Sequence, residues 1–271
     1  MKKFDGWLIC SDIDGTLLNS EGELSETNRK AIEYFKENGG LFTVSTGRFP
    51  DFISGYNITP NAPIIAVNGT VLFDTLSNKL LYSEPLEKNY ADALEYLYKK
   101  TDAVNCVLVS TSEESYELFD RKNIADSKNF SIADAISSFD GKTVFKAVAI
   151  CSSPEATFSL LKEMTELFSD RFHFCRSWPT GLELIKKGSG KGKCMRFLCS
   201  TSAKPIHTCI GAGDFENDIS MLEDSDIGCA VANALDCVKN AADVIIPTND
   251  DNAIAYIIEQ IENGNFSKKI D

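Results

Sequence analysis

Asp12 and Asp14 stand two residues apart at the end of the apolar run Ile9-Cys10-Ser11, with Gly15 directly behind them. In an extended chain, positions i and i+2 share a side, so the two carboxylates are expected to converge where a buried strand turns at Gly15. Like charges that close are unfavourable unless a cation or a shared proton offsets them. A divalent metal meets that need, and one carboxylate is then available as nucleophile beside the other as acid–base partner. Asp-x-Asp by itself also fits an acidic turn after a strand.

Three further segments narrow the choice. Residues 41–46 form a second apolar run that ends in Ser45-Thr46-Gly47-Arg48, a hydroxyl, an open backbone amide and a cation, which together suit a phosphate oxygen. Gly188-Ser189-Gly190-Lys191-Gly192 precedes a helical pattern, where a lysine can meet an anion at a helix N-terminus, although neither its glycine spacing nor the residue after the lysine makes a P-loop. Residues 207–212 run into Gly213-Asp214-Phe215-Glu216-Asn217-Asp218, a second acidic cluster whose hard oxygen ligands suit Mg²⁺. Taken singly, these read equally well as capped or basic turns. Four strand ends carrying Asp/Asp, Thr, Lys and Asp/Asp in that order are far more specific.

On these residues the chain resembles the haloacid dehalogenase-like superfamily of phosphohydrolases, most closely the Cof-type branch with a large inserted cap of the C2 (C2B-like) kind. The resemblance rests on Asp12-Ile13-Asp14-Gly15-Thr16-Leu17-Leu18, Thr46-Gly47-Arg48, Asn68-Gly69, Lys191-Gly192 and Gly213-Asp214-Phe215-Glu216-Asn217-Asp218. The segments from Gly228 to Ala234 and from Thr248 to Asp251 also fit the branch. Val231-Ala232 stands where the branch usually carries Met-Gly, and Asn252 where it often has Gly.

The resemblance implies a Mg²⁺-dependent phosphomonoester hydrolase acting on a small phosphorylated metabolite, commonly a sugar phosphate, through an aspartyl-phosphate. It implies Asp12 as nucleophile and Asp14 as acid–base, with Thr46 and Lys191 on the phosphoryl oxygens. Mg²⁺ would be held by Asp12, the backbone carbonyl of Asp14 and Asp214, with Asp218 in support. Asn217 would orient this group, and Gly47, Arg48, Asn68 and Gly69 would border the substrate. A phosphotransferase or phosphomutase would use the same aspartate. A non-catalytic metabolite sensor would be expected to lack Asp12 or Asp14, and a dehalogenase needs no Mg²⁺ or Asp14. Glu113, Tyr116, Arg176 and Trp178 are candidate contacts to the leaving group, without assigned roles.

The positioning elements alternate as in an α/β, doubly wound parallel sheet of Rossmann-like type. The first half reads as strand 7–11, helix 26–38 with Ser25 as N-cap and Gly39 as stop, strand 41–45, a short helix after Pro50, strand 64–67, and a hairpin of 71–73 with 80–82. After Lys187 come helix 191–200, strand 207–212, helix 215–223, strands 227–231 and 244–246, and helix 252–262. Ligands in such sheets bind outside the carboxyl ends of the strands, where all four motifs sit. The middle breaks the rhythm: helix 90–100, strand 106–110, a polar irregular stretch 121–142, strand 145–151, helix 154–168 and strands 172–177 and 182–185. Too few residues separate Asp14 from Thr46 to hold a domain there. The expected division is therefore a core of 1–83 and 187–271 with an inserted α+β cap domain of 84–186.

Composition agrees with a phosphate-handling enzyme. The 271 residues carry a formal net charge of −13, which argues against a nucleic-acid or anionic-membrane partner. Positive field must then be local, from a metal and a few basic side chains. No stretch approaches a membrane span, and the apolar run 7–10 is too short for an export signal, so a cytoplasmic protein is expected. Nine cysteines without CxxC or Cys/His spacing read as reduced thiols rather than a zinc site or a disulfide framework. His173 and His207 both fall in apolar, strand-like surroundings and are not expected to be catalytic.

Overall fold

In the computed structural model the described residues are 2–112, 114–124 and 130–266, so Glu113 lies outside them. The strands, numbered in chain order, are β1 Trp7–Ser11, β2 Leu41–Val44, β3 Ile64–Ala66, β4 Val71–Asp74, β5 Lys79–Ser83, β6 Val104–Thr111, β7 Ser115–Asp120, β8 Val144–Cys151, β9 Phe172–Trp178, β10 Gly181–Lys186, β11 Thr208–Gly213, β12 Ile227–Val231 and β13 Val244–Ile246. The chain forms two compact units, Met1–Ser83 with Gly190–Asp271, and Glu84–Ser189.

The first unit is built on a parallel sheet in the order β13-β12-β11-β1-β2. From β1 the chain crosses to β2 on one side, and from β11 it crosses to β12 and β13 on the other. Right-handed crossovers in opposite directions place their helices on opposite faces. Accordingly helix Glu26–Glu37 packs on helix Ala253–Glu262, and helix Lys191–Thr201 packs on Ile219–Asp224. The order in which the chain fills the sheet reverses between β1 and β11, and in sheets of this kind ligands bind in a crevice at the carboxyl ends of the strands flanking that point. Asp12 follows β1 and Asp214 follows β11. A parallel bridge from Ser45 to Ile65 links β2 to a small antiparallel sheet, β3-β4-β5.

Both faces of this sheet are covered, so its strands are apolar throughout: every residue of β12 and β2 is buried, and Leu8, Ile9 and Cys10 of β1 are fully so. Ser25 caps its helix by accepting from Asn28 N at 3.1 Å, and Gly39 leaves it at φ 101°. Among the described residues, Ser45 Oγ is the buried side-chain oxygen without a hydrogen-bond partner. An unsatisfied buried hydroxyl costs about 1–3 kcal/mol. Ser45→Ala is therefore expected to raise the thermal midpoint by a few degrees, and a clear fall in a melting experiment would mean the hydroxyl has a partner after all.

The second unit is an antiparallel sheet in the order β7-β6-β8-β10-β9. Alternation puts Val107, Val109, Ala147, Ala149, Leu182 and Leu184 on one face, where they join Leu94, Leu97, Leu160 and Met164 of helices Ala91–Lys99 and Pro154–Phe168 in one core. The other face carries an ion pair, Lys146 Nζ to Glu183 Oε2 at 2.8 Å, with both side chains buried.

Several expectations need correction. Ser115–Asp120 is a strand, and the stretch expected to be irregular contains helices Arg121–Ile124 and Ile132–Ser137. Both histidines are solvent-accessible, His173 on β9 and His207 just ahead of β11, although partial burial holds the His173 imidazole below its usual range. Helix Ala253–Glu262 starts one residue late because Asn252 is left-handed at φ 61°, a conformation asparagine tolerates where a glycine is common. Seven of the nine thiols are buried. Among the described residues no helix is long and apolar enough to cross a membrane.

Candidate active site

Asp12 extends the ladder of β1 by one bond, donating its N–H to Ala212 O at 2.8 Å. The chain then tightens into a turn over Ile13–Leu17, non-helical at Asp14 and at Gly15, where φ is 81°. A side chain at Gly15 would be strained at that φ, and its Cβ would lie 2.5 Å from Asp214 Oδ2, so Asp214 would have to shift. This turn gives the two aspartates different surroundings. Asp12 is buried, whereas the Asp14 carboxylate is exposed and bound to Arg48. The strand ends at Ser11, so the i, i+2 rule does not reach Asp14, and the turn sets its direction instead.

Lys191 occupies the first position of its helix and is completely buried. Its Nζ donates to Asp12 Oδ1 at 2.6 Å and to Asp218 Oδ1 at 2.5 Å. Asp218 uses its second oxygen to accept from the amides of Asp214 at 3.0 Å and Phe215 at 3.2 Å. Asp214 in turn accepts from Thr16 Oγ1 at 3.2 Å. The carboxylates of Asp12, Asp214 and Asp218 each offer an oxygen within 4.8 Å of the others.

Three carboxylates gather near one ammonium, which bonds two of them, Asp12 and Asp218. Burial, strengthened by Asp218 and Asp214 and opposed by Lys191, drives the Asp12 carboxyl well above the usual range. Burial and the Asp218 charge push Asp214 up to about 7, against the pull of Lys191 and Thr16. For Lys191 burial acts to lower the pKa, but the charges and hydrogen bonds of Asp12 and Asp218 outweigh it and raise it. The cluster is short of positive charge, and its donors are hard oxygens close enough for one small cation, which fits Mg²⁺. Asp12 and Asp214 retain open lone pairs toward such an ion. Asp218, with both oxygens engaged, holds the frame.

Thr46 is buried, and its Oγ1 accepts from Arg48 N at 3.1 Å, leaving its proton to donate. Gly47 lies in the bend between them. The tight turn that Asn68-Gly69 predicts is present and begins one residue earlier: Val67, Asn68 and Gly69 are all left-handed, at φ 51°, 54° and 83°. A β-branched residue in that region is strained, and here the turn is tied to the loop that follows β2. Val67 N donates to Arg48 O at 3.0 Å and Asn68 N to Thr46 O at 2.9 Å. Asn217 Nδ2 donates to Asn68 Oδ1 at 3.0 Å. At Gly69 a Cβ would lie 2.2 Å from Gly190 O and 2.6 Å from Lys191 N. Its lack of a side chain lets two backbones meet beside the lysine.

Asn233 and Asn249, not singled out as site residues, brace the loop after β1. Asn233 Nδ2 donates to Gly15 O at 2.8 Å and its Oδ1 accepts from Asn249 N at 3.0 Å, while Asn249 Nδ2 donates to Leu18 O at 3.0 Å. Their segments stood out in the sequence, but nothing there pointed to the loop they hold. In the second unit Tyr116 accepts from Lys142 Nζ at 2.8 Å, Arg176 lies over the Phe158 ring at 5.7 Å, and the Trp178 ring fills the space a Cβ at Gly181 would need.

Comparison with known proteins identifies the family. A family model described as haloacid dehalogenase-like hydrolase matches residues 9–258. The 5-amino-6-(5-phospho-D-ribitylamino)uracil phosphatase YwtE of Bacillus subtilis (strain 168) is 28% identical over 286 residues, spanning 96% of this chain and 99% of its own. The crystal structure of TM0651 from Thermotoga maritima superposes with a TM-score of 0.72 at 26% identity, covering 93% of this chain and 96% of that one. A haloacid dehalogenase-like hydrolase from B. subtilis gives a TM-score of 0.77 at 24% identity, covering 93% and 98%, a likeness of fold.

Proposed function

The chain belongs to the haloacid dehalogenase-like hydrolases, as a phosphatase of the Cof type, and from that premise we propose that it hydrolyses a small phosphorylated metabolite, a sugar or sugar-alcohol phosphate, through a covalent phosphate on Asp12. The observation that carries this reading is the buried Lys191 ammonium held between Asp12 and Asp218 with Asp214 alongside. A lysine so placed keeps the Asp12 carboxylate turned toward the crevice. YwtE, by its name, acts on a phosphate carried by a ribityl chain, which motivates the polyol in the substrate class.

An oxygen of Asp12 attacks phosphorus, and the bond to the leaving oxygen breaks as the bond to Asp12 forms. The Asp14 carboxyl hands its proton to the departing alkoxide. It then takes a proton from the water that attacks the phosphorus, so that Asp12 is restored and phosphate leaves. Thr46 Oγ1 and Lys191 Nζ donate to the phosphoryl oxygens, where charge accumulates. Asp12, the Asp14 carbonyl and Asp214 would hold Mg²⁺, which supplies the charge that lets an anionic nucleophile approach an anionic ester. Unit Glu84–Ser189 takes the part of the cap that selects the leaving group.

The test is phosphate release from a panel of metabolite monoesters, including pentose and hexose phosphates and 5-amino-6-(5-phospho-D-ribitylamino)uracil, with and without Mg²⁺. Release that requires the metal and no acceptor is the expected result. Transfer only in the presence of an added sugar would make it a phosphotransferase, and silence across the panel would remove the hydrolase reading.

A further inference from the structure

Arg48 meets Asp14 with a two-pronged fork. Its Nε donates to Asp14 Oδ2 at 2.8 Å and its terminal nitrogen donates to Oδ1 at 2.9 Å. The guanidinium carbon lies 5.2 Å from the centre of the Phe52 ring and 5.7 Å from that of Tyr56. Its backbone is held at both ends, by Thr46 Oγ1 at the amide and by the strained Val67 at the carbonyl. Asp14 is the reverse case: its carboxylate is more than half exposed, at 55%, on a turn of irregular backbone. A solvent-facing ion pair of this kind adds little stability. Its effect is on orientation, since Arg presents a rigid planar pair of donors where Lys offers one point charge.

We propose that Arg48 is the positioning residue of the acid–base carboxylate, acting on turnover through Asp14 and not through the substrate. This assignment rests on the proposed role of Asp14. A carboxylate accepts both prongs of the fork. A protonated carboxyl still offers one oxygen to the guanidinium and turns its O–H outward, so Arg48 holds the group on both sides of the proton transfer. In the first step the Asp12–phosphorus bond forms, the ester P–O bond breaks, and the Asp14 proton passes to the leaving oxygen. Misplacing a reacting group by about 1 Å can lower a rate by about a hundredfold, so the fork matters most for a leaving group that cannot depart without that proton.

Leaving groups separate this role from a structural one. A sugar phosphate expels an alkoxide that needs the proton, whereas p-nitrophenyl phosphate expels a stable phenolate that does not. Single-turnover rates of leaving-group release with Mg²⁺ would be compared for the wild type, Arg48→Met and Arg48→Lys. Met keeps an unbranched stem between the two rings and removes the fork. The ratio of the sugar rate to the nitrophenyl rate is expected to fall at least about tenfold in Arg48→Met, within the range general acid catalysis contributes. Michaelis constants should move little, and Arg48→Lys should recover part of the ratio. Equal losses on both esters, a raised Michaelis constant with kcat kept, or no change at all would each overturn the assignment. If Arg48→Met fails to fold, the Arg48→Lys ratio decides alone. A wild-type protein inactive on both esters, or an active Asp12→Asn variant, would instead defeat the underlying phosphatase reading.

Discussion

Asp12→Asn will abolish turnover of every phosphomonoester, by at least about 10⁴-fold in kcat, while leaving the protein as stable as before or slightly more so. The amide is nearly isosteric with the carboxylate and still accepts from Lys191, but it has no anionic oxygen to form a bond to phosphorus. The stability expectation follows from the same cluster. Burial and two neighbouring carboxylates already drive the Asp12 carboxyl upward, so neutralising it relieves repulsion, and Lys191 keeps Asp218 as its counter-charge. Steady-state kinetics with a thermal melt tests both halves. Wild-type protein quenched during turnover should also carry an acyl phosphate that hydroxylamine traps and the variant lacks. An Asp12→Asn protein hydrolysing p-nitrophenyl phosphate at the wild-type rate would refute the nucleophile.

Lys191→Met should lower both activity and stability, and its effect on stability should be the largest of any single change at this site. Removing one partner of a buried ion pair leaves an uncompensated charge and destabilises by about 3–5 kcal/mol. Here one ammonium serves two carboxylates, Asp12 and Asp218, so the upper part of that range is expected in urea unfolding at neutral pH. Lys191 holds its proton above the ordinary lysine range. Its contribution is therefore complete at every pH below that of a free lysine and is lost only as the pH rises through its raised value. Adding Asp218→Asn to Lys191→Met should return part of the stability without restoring turnover, which separates the electrostatic role from the chemical one. A Lys191→Met protein within about 1 kcal/mol of the wild type would mean the ammonium does not hold the cluster.

Much of this was legible in the residues themselves. Strands β12 and β13 and helix Pro154–Phe168 follow from unbroken apolar runs or from Ser153-Pro154 at a helix start, signals that tertiary context has no reason to override. Strand β7 escaped because its sequence, Ser-Tyr-Glu-Leu-Phe-Asp, lies at a sheet edge and is only partly buried, which blurs the alternation. Asp12, Thr46 and Asp214 come together because each follows a strand of the parallel sheet, whose topology gathers those ends, while Lys191 reaches them from the first position of a helix and not from a strand end. Their orientations were not legible. The Asp14–Arg48 pairing joins residues 34 apart in sequence through a turn whose geometry depends on Gly15. The left-handed Val67 contradicts its own side-chain preference, so no local rule could have placed it.

The two ends of unit Glu84–Ser189 are fastened to each other, Ser189 Oγ donating to Glu84 Oε2 at 2.7 Å. A segment whose entrance and exit touch in this way behaves toward the rest of the chain as a single long loop, and loop length weighs only logarithmically on folding. Every residue assigned to phosphate chemistry lies outside it, within Met1–Ser83 and Gly190–Asp271. The architecture is therefore modular in a strict sense. On the function proposed above, exchanging the intervening cassette at one seam is expected to change selectivity while leaving the bond-breaking apparatus unaltered.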